Sequence, residues 1–437
     1  MLIGIRREDK NIWERRTPLI PDDLKELQKK HGIEAYVQPS KIRAFSDEDY
    51  RQGGATIEEN LSPCKAIFAL KELPIPFINT QTDGKVYALF AHVIKGQSYN
   101  MPMLKSLLEK KSSLIDYEKV EDSERRRLLF FGNYAGLAGM HITLWALGQR
   151  LDREGIVNPF SKIRCTSDYK DLESAENAIN KVGELIRTEG LPSQITPFVC
   201  GFAGYGNVSR GAQKIYDLLP VEEVTPKALP KLFEKKSNRQ VCYKVVFKEE
   251  DMVSPKNSDH FFELQDYYDH PEKYIGVFEP FVRYITVLIN GIYWEKRYPR
   301  LVTKQYLRQS FTGTEKPRLR VIGDISCDIE GAIEATLRVS TPGQPVFTYN
   351  PQKDEVMDGI DDQGVTIMAI DNLPGLLPLE ASSFFSEKLK EFVPMIANAD
   401  YDVDFETLNL PAPIKGALIT HKGKLTPNYR YLKKLLT

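Results

Sequence analysis

The sequence has few of the residues that build disulfide frameworks or metal sites. Its 437 residues include five cysteines and six histidines, all dispersed, with no C-x-x-C pair. An odd number of scattered cysteines argues against a disulfide framework or a zinc site and favours a reducing compartment. We therefore expect no metal. The N-terminus MLIGIRRED reads as a strand rather than as a signal or transit segment, so we expect a cytoplasmic protein.

Long apolar runs and an excess of one charge are also absent. No stretch approaches the ~18 consecutive apolar residues of a membrane span, and 59 basic residues balance 60 acidic ones. We therefore expect neither a membrane nor a nucleic acid as partner, and we interpret the pair Lys235–Lys236 as solvated surface. The apolar fraction of 42% is sufficient for the cores of two or three domains.

The stretch from Pro197 to Pro220, PFVCGFAGYGNVSRGAQKIYDLLP, is the most informative segment. Phe198–Cys200 reads as a buried strand, and an amphipathic helical pattern follows Gly211. Strand, glycine-rich turn and helix together let backbone N–H groups approach a pyrophosphate. The glycine spacing departs from G-x-G-x-x-G, and an ordinary strand-to-helix connection also uses glycine. On this loop alone, both interpretations stay open.

Strand and helix signals alternate over residues 1–120, which predicts a parallel sheet covered by helices. A second alternating region begins at Phe198. The strands predicted in the two regions are Leu2–Ile5, Glu34–Val37, Ala66–Leu70, Val86–Ala91, Ser113–Ile115, Phe198–Cys200, Val221–Val224, Val241–Val246, Thr286–Ile289, Arg320–Asp324 and Val365–Ile370.

Ionisable side chains follow three predicted strands of the first region. Lys71, His92 and Glu118 come after successive strands, and the carboxyl ends of parallel strands share one edge of a sheet. We therefore expect these side chains to meet in one crevice, where neighbouring charges could move the lysine and histidine pKa values toward neutrality. Arg16, after the first strand, could bind a carboxylate bidentately. The alternative, that each is an exposed residue at the start of a loop, stays open.

Nine segments occur in an order that identifies a family. Together they resemble lysine–2-oxoglutarate reductase, the lysine-forming type of saccharopine dehydrogenase, and especially the reductase half of bifunctional aminoadipic semialdehyde synthase. More distantly, they are similar to alanine dehydrogenase and to the nucleotide-binding part of proton-translocating transhydrogenase. The segments are WERRTPLIP, KELP, FAHVIKGQ, LIDYEKV, FFGNYAGLAGM, GYGNVSRGAQ, LINGIYWEKRYPRL, GDISCDIEGAIE and AIDNLPGLLPLEAS.

The resemblance implies an α/β fold of two Rossmann-like domains with parallel sheets and a cofactor and substrate cleft between them. We expect a substrate domain at 1–136 plus 380–437 and a dinucleotide-binding domain at 137–379. Residues 248–283 match no motif and are expected to be an insertion. The saccharopine-cleaving half of the bifunctional enzyme is missing, so a stand-alone reductase and a piece of a longer enzyme both stay open.

The resemblance also implies roles for individual residues. Lys71 and His92 match the acid–base catalysts. The positions expected to bind substrate are Arg16, Glu118, Arg127 and Phe131. The positions expected to bind the cofactor are Gly201, Gly204, Gly206, Asn207, Val208, Ser209 and Asp371, the last of these beside the nicotinamide.

The activity implied is condensation of L-lysine with 2-oxoglutarate and reduction of the imine to saccharopine. NADPH is expected in preference to NADH. Glu222 and Glu223 have the spacing of an NAD-selecting acid, but the predicted strand ends at Thr225, and Lys227 and Lys231 could meet a 2′-phosphate.

Other functions stay open from the sequence. One is an NAD-dependent saccharopine, alanine or opine-type dehydrogenase, which would use the same fold. Another is a non-catalytic nucleotide-binding regulatory protein, which would have no need of Lys71, His92 and Arg16 together. The expected partners are small-molecule substrates, and an oligomer is possible.

Overall fold

The computed structural model describes residues 1–234, 238–313 and 316–436, so the pair Lys235–Lys236 lies outside the described residues. The chain divides into two compact units. The N-terminal unit consists of Met1–Phe131 and Pro378–Thr437, and the central unit consists of Gly132–Leu377. The N-terminal unit is therefore discontinuous in sequence.

The strands are short, as is usual for α/β proteins. In chain order they are β1 (Leu2–Ile5), β2 (Glu34–Val37), β3 (Thr56–Ile57), β4 (Ala66–Phe68), β5 (Val86–Leu89), β6 (Ser113–Asp116), β7 (Phe198–Ala203), β8 (Val221–Glu223), β9 (Cys242–Phe247), β10 (Val253–Pro255), β11 (Tyr274–Gly276), β12 (Val287–Asn290), β13 (Val321–Asp324), β14 (Val346–Asn350), β15 (Glu355–Asp358), β16 (Val365–Met368), β17 (Leu418–His421) and β18 (Lys424–Leu425).

Helices connect most of these strands. They are α1 (Pro21–His31), α2 (Asp47–Gln52), α3 (Ile75–Thr80), α4 (Met101–Glu109), α5 (Gly132–Arg153), α6 (Leu172–Glu189), α7 (Asn207–Tyr216), α8 (Leu229–Leu232), α9 (Glu249–Met252), α10 (Leu264–Asp269), α11 (Glu279–Val282), α12 (Lys304–Ser310), α13 (Pro378–Leu389), α14 (Val393–Asn398) and α15 (Ala412–Gly416). Residues Pro427–Leu435 near the C-terminus form a 3₁₀ segment. Among the described residues, no helix is both long and apolar enough to cross a bilayer.

The sheet of the N-terminal unit has the order β18-β17-β6-β5-β4-β1-β2-β3. The strands from β6 to β3 run parallel, while β17 pairs antiparallel with β6. From β3 to β6 this is the strand order of dinucleotide-binding folds. The order reverses between β1 and β4, which opens a crevice beyond the carboxyl ends of these two strands.

The sheet of the central unit has the order β15-β14-β16-β13-β12-β7-β9-β8. The strands from β16 to β8 run parallel, and β14 and β15 close one edge in antiparallel fashion. The interior strands are buried along their whole length, as expected of a parallel sheet with both faces covered. The predicted α/β class with parallel sheets is therefore confirmed.

The strand that carries Glu222 and Glu223 is not a neighbour of the glycine-bearing strand. These two acids belong to β8, which lies at the edge of the sheet and pairs only with β9. Strand β9 pairs with β7 over six residues, from Phe198↔Cys242 to Ala203↔Phe247. The physical reason is composition, because the polar sequence Val-Glu-Glu of β8 suits an exposed edge and the apolar β9 suits the interior.

Glycines allow helices α5 and α7 of the central unit to pack closely. A Cβ built on Gly136 of α5 would overlap with the carbonyl oxygen of Val208, and one built on Gly211 of α7 would overlap with that of Asn133. Gly136 lies in the second turn of α5, which begins at Gly132. Gly211 therefore serves helix packing rather than the turn.

Candidate active site

Lys71 follows β4, at the reversal of strand order in the N-terminal unit. The buried carboxylate of Glu8, which follows β1, accepts hydrogen bonds from the backbone N–H groups of Leu70 (2.6 Å) and Lys71 (3.0 Å). Burial, with the charge of Glu14, raises the pKa of Glu8 to about 7. A buried acid thus fixes the backbone that carries Lys71.

The side chain of Lys71 lies in a surrounding that favours its neutral form. Burial lowers its pKa below the ordinary value, the charge of Arg16 lowers it further, and the charge of Glu14 opposes this. A lysine amine of lowered pKa loses its proton more readily than an exposed lysine does. The surroundings of Lys71 therefore shift its pKa in the direction that favours a role in proton transfer.

His92 follows β5 and is held from several sides. Its backbone has φ +47, a conformation that non-glycine residues rarely adopt and that accumulates at functional sites. Its Nδ1 lies 2.7 Å from Oε1 of Glu72, whose other oxygen accepts a hydrogen bond from Lys10 at 2.9 Å. Burial disfavours the ionised form of Glu72, but the hydrogen bonds from His92 and Lys10 hold its pKa well below the ordinary range. Ionised Glu72 thereby orients the imidazole.

Arg16 is buried and belongs to the same cluster. Its Nε and Nη2 donate to the two oxygens of Glu14 at 2.8 and 2.7 Å, and its guanidinium lies 4.3 Å from the ring centre of Phe131. The ring of Phe90 lies 5.9 Å from that of Phe131 and 6.4 Å from that of His92. The structure therefore brings Arg16, Phe131 and His92 together, with Lys71 within range of the charge of Arg16.

Glu118 and Arg127 form a pair of their own beyond β6. Nη1 of the exposed Arg127 lies 3.9 Å from Oε1 of Glu118. The buried Asp116 at the end of β6 accepts from the backbone N–H of Glu118 (3.0 Å) and of Ala91 (3.4 Å). Burial, with the charge of Glu118, raises the pKa of Asp116 to about 7. Through these two hydrogen bonds, Asp116 links the segment after β6, which carries Glu118, to the segment after β5, which carries His92.

The glycine-rich turn of the central unit fits a pyrophosphate. Gly204 has φ +92, which requires glycine, and its N–H donates to the carbonyl of Phe247 (3.0 Å). Gly206 directly precedes α7, and a Cβ built there would meet nothing within 4 Å, which leaves an open cradle at the helix start. Bare backbone beside a helix N-terminus is the arrangement that binds phosphate groups. Gly201, in contrast, lies inside β7, where Ile285 fills the space next to it.

The other predicted cofactor-binding residues differ in exposure. Asn207 is exposed and Val208 half-buried in the first turn of α7, while Ser209 is buried and its Oγ accepts from Gln213 (3.0 Å). Asp371 is exposed and follows β16, three residues beyond the strand end. Among the described residues, no group of three or more His, Cys, Asp or Glu could hold a metal ion.

Several acids of these sites are missing from the sequence-based prediction. Glu72 directly follows Lys71 in the segment KELP. This adjacency to a candidate catalytic residue is the only feature of the sequence that indicates a role for Glu72. Glu8 and Glu14 lie in charged segments that resemble surface loops, and Asp116 directly follows an apolar predicted strand, so their burial shows only in the folded chain.

Two family models match the chain. The model of the alanine dehydrogenase/PNT N-terminal domain matches residues 4–138, and that of the C-terminal domain matches residues 282–428. The chain belongs to the alanine dehydrogenase/PNT family. Solved structures agree in fold: an L-alanine dehydrogenase has a TM-score of 0.65 at 18% identity over 100% of both chains. A transhydrogenase from Sinorhizobium meliloti has a TM-score of 0.59 at 15% identity, covering 98% of this chain and 100% of its own.

Curated relatives confirm the predicted resemblance. Over 99% of this chain, identity is 38% to the alpha-aminoadipic semialdehyde synthase of Arabidopsis thaliana and 33% to the mitochondrial one of Rattus norvegicus. The chain spans 41% and 48% of the length of these two relatives. The saccharopine dehydrogenase [NAD(+), L-lysine-forming] of Yarrowia lipolytica is 26% identical over 89% of this chain and 90% of its own length.

Proposed function

We propose that this chain condenses L-lysine with 2-oxoglutarate and reduces the resulting imine to saccharopine. The observation that carries the proposal is the placement of Lys71, with its lowered pKa, and of His92, oriented by Glu72, at neighbouring strand ends. The similarity to aminoadipic semialdehyde synthases and to a lysine-forming saccharopine dehydrogenase supports the choice of substrates.

The first chemical step joins the two substrates. The ε-amine of lysine attacks the keto carbon of 2-oxoglutarate, Lys71 accepts the proton that the attacking nitrogen loses, and His92 protonates the developing alkoxide. His92 is then reprotonated from solvent and donates this proton to the leaving hydroxyl, so that the carbinolamine loses water and a protonated imine remains, which takes up hydride to give the secondary amine. Proton transfer of this kind contributes about 10²- to 10⁴-fold to a rate.

Charged side chains hold the substrates. Arg16, with its guanidinium plane fixed by Glu14 and by the ring of Phe131, binds one carboxylate. Arg127 is exposed in the segment that follows β6 and binds a second carboxylate, while Glu118 offers a carboxylate to a substrate ammonium group. Fixing both reactants removes much of the entropic barrier of a two-substrate reaction.

The reductant is a nicotinamide dinucleotide, which when bound supplies a hydride to the imine carbon. Gly204, Gly206 and the first turn of α7, with Asn207, Val208 and Ser209, would hold its pyrophosphate. Asp371 would lie beside its nicotinamide. The resemblance supports NADPH as the reductant.

We also propose that the reaction takes place in the cytoplasm. All five cysteines are free thiols, which fits a reducing compartment. The rat relative is described as mitochondrial, and that description concerns the rat protein alone.

The test is steady-state kinetics with lysine, 2-oxoglutarate and each reduced nicotinamide dinucleotide, in which each substrate is also left out in turn. We expect Lys71→Met and His92→Gln each to lower kcat by about 100-fold or more, because each removes a proton-transfer group. Matched controls are Lys29→Met and His31→Gln, which change exposed residues at the end of α1 and keep wild-type rates.

Two results would contradict the proposal. One is wild-type turnover in both Lys71→Met and His92→Gln. The other is dinucleotide binding without turnover on lysine and 2-oxoglutarate, and a panel of other amines and keto acids would then identify the substrate pair.

A further inference from the structure

Asn100 lies next to His92, although no sequence motif and no step of the proposed chemistry assigns it a role. It is buried, and it stands where a short 3₁₀ turn, Ser98–Asn100, leads into α4. Two tight turns, closed by the backbone N–H groups of Gly96 and Asn100, bring the chain back from His92 to this point. The segment after β5 is therefore a compact loop with His92 at its beginning and Asn100 at its end.

The side-chain amide of Asn100 contacts both the backbone of His92 and the acid that binds its ring. Nδ2 donates to the carbonyl oxygens of Ala91 and His92, each at 3.2 Å. The same nitrogen lies 3.4 Å from Oε1 of Glu72, the oxygen that lies 2.7 Å from Nδ1 of His92. One amide group therefore connects the backbone that carries the imidazole to the carboxylate that orients it.

The chemistry of these neighbours fixes which end of the amide faces them. The three atoms around it are two carbonyl oxygens and one carboxylate oxygen, and all of them are acceptors. Only the NH₂ group of the asparagine can donate to them, because the amide oxygen would face three other oxygens. An ionised aspartate at this position would have the same shape without a donor, so it provides an isosteric test of the contact.

The backbone of His92 needs a restraint from outside the strand. Its φ of +47 lies in the left-handed region, which residues with a side chain rarely adopt unless the surrounding structure holds them there. The carbonyl groups of Ala91 and His92 lie beyond the end of β5, where strand pairing has ended. The hydrogen bonds from Asn100 supply partners for both carbonyl groups at this point.

The position of Asn100 is itself set by the packing of α4. Met101 and Met103, in the first turn of this helix, are buried in the core of the N-terminal unit. Sδ of Met103 also accepts a hydrogen bond from the backbone N–H of Leu73 (3.2 Å), which directly follows Glu72. The start of α4 thereby contacts the segments after both β4 and β5, and this packing holds Asn100 within reach of them.

We propose that Asn100 is a positioning residue, whose amide holds the backbone of His92 and the carboxylate of Glu72 in fixed positions, so that the imidazole meets the substrate in one orientation. The inference rests on the proposed function, because it concerns the proton transfers of His92. Asn100 acts through His92 and moves no proton itself, since an amide does not titrate near neutral pH. It differs from Glu72 in that it restrains the backbone of His92, whereas Glu72 restrains the ring.

The first test is steady-state kinetics of the full chain with lysine, 2-oxoglutarate and NADPH. We expect Asn100→Ala to lower kcat about tenfold or more, with KM for each substrate changed less than about twofold, because the substrate-binding side chains stay in place. Asn100→Asp should lower kcat at least as much, since a carboxylate then faces three acceptors. The control is Asn398→Ala, which removes an exposed amide that donates to the carbonyl of Pro394 (2.8 Å) and should keep wild-type rates.

A double-variant comparison separates positioning of His92 from general damage to the fold. In a His92→Gln background, Asn100→Ala and Asn100→Asp should each change kcat less than about twofold, because no imidazole is left to position. A loss by the same factor in both backgrounds would overturn the inference, since Asn100 would then act on the structure at large. Wild-type kcat in Asn100→Ala would overturn it as well, and so would a failure of both Asn100 variants to fold.

A nuclear magnetic resonance measurement needs no turnover. In chains isotopically labelled at the ring nitrogens of histidine, the signal of His92 is identified by its loss in His92→Gln. We expect one state with a proton on Nδ1 in the wild-type chain and in Asn398→Ala, and several states or an averaged signal in Asn100→Ala.

The two measurements distinguish failure of the inference from failure of the proposed function. A changed His92 signal in Asn100→Ala, in a chain that forms no saccharopine, would support the positioning role and contradict the proposed function. An unchanged signal in Asn100→Ala, in a chain that forms saccharopine, would overturn the inference and leave the proposed function standing.

Discussion

At the scale of residues, each candidate catalytic or substrate-binding base is held by an acid. Glu72 binds His92, Glu14 binds Arg16, and Glu8 binds the backbone at Lys71. Burial disfavours the ionised form of Glu14, but the charge and hydrogen bonds of Arg16 hold its pKa below the ordinary value. These acids fix the positions of the catalytic and substrate-binding groups before any substrate binds. Rate enhancement by proximity depends on groups that are held in place in this way.

The role of Glu72 as a positioning residue can be tested directly. We expect Glu72→Gln to lower kcat at least about tenfold with little change in KM, because the imidazole of His92 loses its charged partner while the substrate-binding arginines stay. The double variant Glu72→Gln/His92→Gln should be no slower than His92→Gln alone, since both changes act on one proton transfer. Glu59→Gln, an exposed acid paired with Arg7, is the control. Additive losses in the double variant would contradict the role.

At the scale of elements, the hydrophobic pattern located most strands but not their neighbours. The apolar runs at Val86 and Val241 are visible in the sequence, and β5 and β9 form there. After β7 the chain first forms the edge strand β8, and only the following strand, β9, pairs with β7. The sequence does not show this order, because strand pairing depends on contacts between distant segments. The place of β9 beside β7 could therefore not be predicted from the sequence, whereas the glycine-rich turn could.

Glycines of the central unit serve two separable purposes, turn and packing. Gly206 has an ordinary φ of −73 and open space beside it, so Gly206→Ala should keep the melting temperature and weaken dinucleotide binding about tenfold or more.

Gly136→Ala should lower the melting temperature, at a cost of about 1–3 kcal/mol, because the added methyl overlaps with the backbone of α7. Thermal unfolding and NADH titration of both variants provide the check. Unchanged nucleotide affinity in Gly206→Ala would contradict the pyrophosphate site.

At the scale of the whole molecule, a net charge of −1 conceals acids that differ widely in burial. Burial raises the pKa of Glu8 and Asp116 to about 7 and that of Asp324 to about 6. Composition predicts a globular protein with balanced charge, and the strand ends predict where Lys71 and His92 lie. Burial of an acid depends on the complete fold around it, so the sequence could not single out these three among 60 acidic residues.

The raised pKa of Glu8 makes stability depend on pH. A carboxyl group whose pKa is higher in the folded state binds more protons when folded, so the free energy of unfolding falls as pH rises from about 4.5, the ordinary value, through about 7. Glu8→Gln removes this group. Between pH 5 and pH 8 we expect the stability of the wild-type chain relative to the variant to fall by on the order of 2 kcal/mol.

Urea unfolding of both chains at the two pH values measures this difference, and Glu34→Gln, an exposed acid on β2, controls for surface charge. Because Asp116 and Asp324 titrate in both chains, their contributions cancel in the comparison of wild type with variant. A stability difference that is the same at pH 5 and pH 8 would show that Glu8 is already ionised in the folded chain. The hydrogen bonds from Leu70 and Lys71, which favour the charged form, would then outweigh the cost of burial.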